Sequence, residues 1–198
     1  MINEASWQHR VTAALAAAYL QDDDPRWQSG FDGDSGLWRE ARELILDVVD
    51  RDGSFLDVGC ATGHLIECLA AWSRARGRHL LLYGLELNRD LLLAAQRRLP
   101  DMADRIFEGN AVDWAPSHGF TFVRTGLEYV PPSRESFLVT RLLRDLVEPG
   151  GRLIIGPVSD PDPALAAVAT AGVEAAATHV AVDRNGKRRY ILSVNHFA

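Results

Sequence analysis

Two acids and a run of small residues are the parts of this sequence with the clearest chemical use. In Phe55-Leu56-Asp57-Val58-Gly59-Cys60-Ala61-Thr62-Gly63, an apolar stretch ends in an acid and then in a loop of small side chains. That order reads as a buried strand feeding a tight turn and a helix, where open α/β sheets take ligands at the carboxyl ends of their strands. A second apolar stretch, Leu80 to Leu85, closes on Glu86, whose carboxylate suits the two hydroxyls of a ribose. Together they point to a nucleotide-like ligand.

Spacing separates the candidates. A dinucleotide fingerprint wants small residues at G-x-G-x-x-G so that backbone and helix start can approach a pyrophosphate. Here the small residues fall at 59, 61 and 63, and the imidazole of His64 stands in the third place. Asp57, just before the turn, would oppose a pyrophosphate but suits a ligand carrying an amino group and a sulfonium. That ligand is S-adenosylmethionine, with a nicotinamide dinucleotide as the runner-up.

On these residues the chain resembles the class I S-adenosylmethionine-dependent methyltransferases. The resemblance covers roughly residues 50 to 198. It implies that Asp57, Gly59, Ala61 and Gly63 form the glycine-rich first motif and that Glu86, with Leu87 beside it, binds the ribose. Ile106 to Trp114 matches the third motif, in which Asn110 and Ala111 hold the adenine, and Leu146 to Ile155 matches the helix, Pro-Gly-Gly turn and fifth strand. Two positions depart from the pattern. Ala61 replaces a glycine, which a close turn tolerates if its φ stays negative, and Asn110 replaces an acid, although its amide oxygen can still accept from an amine.

Composition narrows the partners. A net charge of −6 argues against a broad nucleic-acid footprint. Of 21 basic residues only Lys187 is lysine, an excess of arginine that reads as coding bias rather than as a binding surface. Cys60 and Cys68, the two cysteines, are too few for a thiolate metal site or an iron-sulfur cluster. No signal pattern opens the chain and no apolar run approaches a membrane span, so a cytoplasmic protein with reduced thiols is expected. A homodimer is left open.

The elements that must position these residues alternate. Helical spacing of Trp7, Val11, Leu15 and Ala18 marks an amphipathic helix over 4–20, and Asp34 or Ser35 caps a second from about Leu37 to Asp50. Strands follow near 54–58, 80–86, 105–108, 120–125 and 151–156, with helices at 63–76, 89–98, 134–147 and near 163–171. Two β-like segments, 175–182 and 188–196, flank Asn185-Gly186, a dipeptide that favours a tight antiparallel turn. The expectation is an α/β Rossmann-like three-layer sandwich. Its seven-stranded, mostly parallel sheet has the last strand antiparallel, as the resemblance implies. Residues 1–50 form a helical cover or lid, and 51–198 the cofactor-binding domain.

Methyl transfer asks for alignment and, where the acceptor keeps its proton, a base. The end of the fourth strand, Thr125-Gly126-Leu127-Glu128-Tyr129, is the place to look. It lacks the Asn/Asp-Pro-Pro-aromatic tetrad of base-amine methyltransferases, and Glu128 stands without the further acids that a magnesium site needs, so no metal is expected. Glu128, with Tyr129 beside it, is the catalytic candidate, as a base or as the carboxylate that holds an ammonium. Thr125 or Gly126 would offer backbone atoms to the cofactor. Tyr19, Trp27, Phe31 and Trp38 are read as a lid or a plain cover, His64 and His118 as packing and turn residues, and Trp114 as core or adenine stacker. The leading reading is transfer to oxygen or nitrogen of a small-molecule acceptor. An RNA or protein methyltransferase recognising its partner through the N-terminal helices is the alternative, and a non-catalytic cofactor-binding subunit the third.

Overall fold

A computed structural model describes the backbone of residues 4–196 and the side chains from residue 11 onward. Helix α1 (Glu4–Tyr19) and helix α2 (Ser35–Arg42) precede the sheet. Trp7 has its side chain outside the described residues. Along the rest of α1, Ala16 is buried and Val11, Thr12, Leu15 and Tyr19 are partly covered, whereas Ala18 is exposed. The inward stripe is thus one residue out of phase with the expected one at its end, because Tyr19 and not Ala18 reaches the protein.

Asp34 caps α2 by accepting from the Leu37 N–H at 2.9 Å. The expected helix to Asp50 stops early, since after Arg42 (φ −124°) the chain tightens into a 3₁₀ turn, Glu43–Val48. Leu44, Ile45, Leu46, Val48 and Val49 are all buried there, more consecutive side chains than one face of an α-helix can cover. The tight turn packs them against the sheet.

The sheet holds seven strands: β1 (Gly53–Val58), β2 (Leu80–Glu86), β3 (Ile106–Glu108), β4 (Phe120–Thr125), β5 (Val147–Val158), β6 (Ala177–Val182) and β7 (Arg188–Asn195). Their order is β3-β2-β1-β4-β5-β7-β6, with β7 antiparallel to both neighbours and the other pairings parallel. Helices α3 (His64–Ala75), α4 (Arg89–Arg98), α5 (Glu135–Asp145) and α6 (Asp162–Thr170) complete the layers. Alternation along the strands divides the core. Phe55, Phe122, Ile154 and Ile191 face Trp38, Leu65, Ile66 and Leu69, and Leu56, Val123, Leu153 and Leu192 face Leu138, Leu142 and Val168.

Two boundaries move. The helix expected to reach 147 ends at Asp145, because Phe120 N–H donates to the Leu146 carbonyl at 2.7 Å and draws the chain into β5 at Val147. In the β6–β7 connection only Gly186 has a positive φ (79°), and Asp183 organises the turn by accepting from the Asn185 and Lys187 amides at 3.0 and 2.9 Å. Among the described residues no helix is long and apolar enough to cross a membrane.

Candidate functional site

From β1 the chain builds outward to β2 and β3 on one side and resumes at β4 on the other, so a crevice opens at the carboxyl ends of β1 and β4. A cavity of about 260 Å³ lies there. Its sheet-side wall holds Asp57, Gly59, Ala61, Glu86, Leu87, Asn110 and Ala111, and its outer wall holds Tyr19, Ser29, Trp38 and Arg42 from the first 50 residues.

The first-motif turn is fixed by backbone bonds. The Gly59 and Cys60 amides both donate to the Leu85 carbonyl, at 2.8 and 3.2 Å. Gly59 (φ 73°) leaves an open face, on which the Tyr129 ring rests; a Cβ there would come within 2.4 Å of that ring. Ala61 departs from the sequence expectation, since its φ is +48°. The left-handed conformation is held by Glu86, whose Oε2 accepts from the Ala61 N–H at 2.9 Å.

Glu86 is buried, at 6% exposure, yet lines the cavity. Its Oε1 accepts from the Asn88 N–H at 2.9 Å. Asn88 in turn caps α4, accepting from the Asp90 and Leu91 amides. Burial pushes the Glu86 carboxyl above the usual range, while the amides of Asn88, Ala61 and Leu87 pull it back. A carboxylate has about four lone-pair directions, so the two backbone bonds orient the group and leave acceptor capacity for a ligand.

Asp57 and Arg124 face each other across β1 and β4 as register partners. Arg124 donates to Asp57 Oδ1 at 3.0 Å and to the Gly156 carbonyl at 2.7 Å. Burial pushes Asp57 up and Arg124 pulls it back; burial works against the Arg124 charge, and Asp57, Tyr129 and Glu128 together more than offset it. Arginine keeps its proton, so Asp57 has a charged hydrogen-bond donor beside it in the sheet. The negative charge that the sequence assigns to a cationic ligand is therefore largely answered within the protein.

The remaining candidates separate into those at the cavity and those behind it. Asn110 lines the wall, but its Oδ1 accepts from the Val112 N–H at 3.1 Å and so shapes the loop. Glu128 is exposed at the mouth, and Tyr129 keeps its proton, its hydroxyl held well above the ordinary value by burial and then by Glu128. Thr125 is fully buried and donates to the Gly126 carbonyl at 2.7 Å, and neither residue reaches the cavity wall. Gly63 (φ 79°) likewise sits behind the turn, facing Leu99 and Ala95. Trp114 packs on Phe107, with ring centroids 5.3 Å apart, and does not line the cavity. His64 stacks on Trp38 at 4.9 Å. Among the described residues no group of three His, Cys, Asp or Glu side chains is placed to hold a metal ion.

Sequence reasoning missed Arg42 and Arg124, both of which line the cavity. They were hidden by the abundance of arginine. The usable signal was an arginine inside the apolar β4 run, where an unpaired charge cannot stay.

The strand order with β7 reversed, and the crevice between β1 and β4, give this chain the fold of the class I S-adenosylmethionine-dependent methyltransferases. No protein-family model matches it. In sequence it is similar to a trans-aconitate 2-methyltransferase of Sinorhizobium medicae, 30% identical over 120 residues, 59% of this chain and 43% of that protein. The match thus spans less than half the length of that relative. Among solved structures, the 1,6-didemethyltoxoflavin-N1-methyltransferase of Burkholderia thailandensis, holding 1,6-didemethyltoxoflavin and S-adenosylhomocysteine, superposes with a TM-score of 0.73 over 100% of this chain and 92% of that one, at 13% identity. The [4+2]-cyclase SpnF superposes with a TM-score of 0.67 over 96% of each chain, at 16% identity.

Proposed function

We propose that this protein is an S-adenosylmethionine-dependent methyltransferase acting on oxygen or nitrogen of a small molecule. The observation that carries the reading is Glu86, a buried carboxylate at the end of β2 that is anchored by two backbone amides and still lines the cavity. The residues present fit the cofactor. Glu86 would receive the ribose hydroxyls, Leu87 and Ala111 would flank the adenine, and the open face of Gly59 would let the amino-acid end pass close to the backbone once the Tyr129 ring turns aside. When bound, the cofactor supplies an electrophilic methyl carbon with a neutral leaving group.

The chain's part in the reaction is positioning and proton removal. Alignment can be worth about 7–11 kcal/mol of barrier in favourable cases. The outer wall of Tyr19, Ser29 and Trp38 confines the acceptor and excludes water, and Glu128 at the mouth takes a proton from a hydroxyl or holds an ammonium. Tyr129 stays protonated, so it serves as a wall or donor and not as a base. The didemethyltoxoflavin and aconitate enzymes support a small acceptor, and a cytoplasmic setting agrees with two free cysteines.

The cyclase SpnF shows that this fold also serves other reactions, so methyl transfer is tested directly. Calorimetric titration with S-adenosylmethionine, S-adenosylhomocysteine and NAD is expected to give micromolar binding of the first two and none of the third. Binding of NAD alone would sink the reading.

A further inference from the structure

We infer that Tyr129 is a plug on the amino-acid half of the cofactor seat: the resting cavity takes a nucleoside as it stands, and admits an amino-acid tail only when the Tyr129 ring swings off Gly59. The inference rests on the methyltransferase reading for the identity of the ligand and deepens it by naming what controls entry. The inner wall of the cavity runs from Leu87 and Ala111, past Glu86 at the end of β2, to Gly59 in the turn that follows β1. On that reading the nucleoside takes the first part of the wall and the tail the second, where a residue without a side chain lets a ligand approach the backbone. The Tyr129 ring already holds this second part. A Cβ built on Gly59 would overlap the ring's Cζ and Oη and come within 2.8 Å of Cε1. The ring therefore fills the open face that the missing side chain leaves, and a ligand tail needs the same space.

Only the ring is free to yield. The seat beneath it is pinned, because the Gly59 and Cys60 amides both donate to the Leu85 carbonyl. The segment that carries the ring is pinned as well. Leu127 and Val130 are buried in one core with Leu138 and Leu142, and the Val130 N–H donates to the Leu127 carbonyl at 3.4 Å, which makes Glu128 and Tyr129 the central pair of a turn. What remains is rotation of the Tyr129 side chain among a few staggered positions. The adjoining cavity of about 260 Å³ gives it room. The ring moves as a neutral group, since burial keeps its hydroxyl protonated. The Glu86 carboxylate is oriented by the Ala61 and Asn88 amides, so the ribose half stays formed in either ring position. A tailed ligand thus binds only the fraction of molecules whose ring is turned, which weakens its apparent affinity in proportion. A ligand without the tail escapes that loss.

The test is calorimetric. S-adenosylhomocysteine is the tailed probe, and 5′-methylthioadenosine, which keeps the nucleoside and the sulfur but ends in a methyl group, is the tail-free one. Both are titrated into wild type, Tyr129→Ala and Tyr129→Phe. Tyr129→Ala is expected to bind S-adenosylhomocysteine roughly threefold or more tightly than wild type and 5′-methylthioadenosine within about twofold, while Tyr129→Phe, which keeps the ring, stays within about twofold for both. Equal or weaker binding of S-adenosylhomocysteine by Tyr129→Ala would overturn the inference. So would an equal gain for both probes, which would make the ring a cover for the whole cradle. Should Tyr129→Ala fail to fold, wild type grown with ring-labelled ¹³C-tyrosine carries the test by NMR, its Tyr129 signal assigned with Tyr129→Phe. S-adenosylhomocysteine should shift that signal clearly further than 5′-methylthioadenosine does, and a signal that saturating S-adenosylhomocysteine leaves in place overturns the plug. If wild type and Tyr129→Ala bind neither probe, the cofactor reading fails and the plug with it; if both bind S-adenosylhomocysteine equally, the plug fails and the cofactor reading stands.

Discussion

The two walls of the cavity are built on opposite plans. The sheet-side wall hangs on strand ends and is held by backbone: the Leu85 carbonyl fixes the Gly59 turn, and the amides of Ala61 and Asn88 fix Glu86. The outer wall comes from α1, short 3₁₀ turns and α2, and it is held by side chains, Trp38 between Phe31 and His64 and Arg42 across both aromatic rings. A wall fixed by main chain keeps its shape whatever side chains it carries, which suits an unvarying cofactor. A wall made of side chains changes with each substitution, which suits an acceptor that differs between related enzymes.

The sharpest way to break this contrast is Trp38→Ala. Trp38 is only 3% exposed and its indole N–H points at Cys68 Sγ at 3.3 Å, so the outer wall is rooted in the main core. Truncation should cost about 3–5 kcal/mol of global stability. Urea unfolding that shows a loss below about 1 kcal/mol would make the outer wall a detachable cover instead. Next comes Glu86→Ala, which removes the proposed ribose acceptor together with the anchor of Ala61 and Asn88. Hydrogen bonds to a charged group are worth about 1.5–3 kcal/mol, so S-adenosylhomocysteine affinity should fall roughly ten- to hundredfold by calorimetry.

Acidity sharpens the same point. The Glu86 carboxyl is raised by burial, so the affinity it supports is complete at neutral pH and fades as pH falls through a value above 4.5. Stability moves the other way over that interval, since the folded state takes up the proton first and protonation relieves a buried charge. Glu86→Gln should flatten the low-pH limb of the binding curve; a limb that persists unchanged would assign it to another group. The smallest effect is at Ala61, whose positive φ costs a non-glycine residue about 1 kcal/mol. Ala61→Gly should raise stability by up to that amount in thermal melts, with ligand affinity unchanged, and a loss of stability would show that the turn is not strained.

How much could be read beforehand follows the same division. Strand β2 and helix α4 fall at the expected residues because Leu80 to Glu86 is a continuous apolar run closing on an acid and Asn88 is a cap. The mostly parallel seven-stranded sheet and the reversal of its last strand were legible from alternation and the Asn185-Gly186 turn, once joined to the family resemblance; the order of the strands is seen only in the fold. Asp57 and Glu86, which both line the cavity, stood out because each ends an apolar run. Arg42 did not, because its place on the cavity wall, over the rings of Phe31 and Trp38, is a tertiary property. The same holds for Thr125, which spacing puts at a strand end but whose side chain turns inward to Gly126. The 3₁₀ turn at Glu43–Val48 was missed because its apolar run has no period to distinguish it from a helix.

Arg98 of α4 donates to the Thr62 carbonyl at 3.0 Å and to Gln28 Oε1 at 2.9 Å. One guanidinium therefore ties the first-motif turn to the segment Trp27–Ser29 of the outer wall. Occupancy of the proposed cofactor cradle should then register in amide hydrogen exchange at Ser29 and Gly30, whose N–H groups bond, among the described residues, to the carbonyls of Arg26 and Trp27. Slower exchange there on addition of S-adenosylhomocysteine would show that loading the inner wall stiffens the outer one.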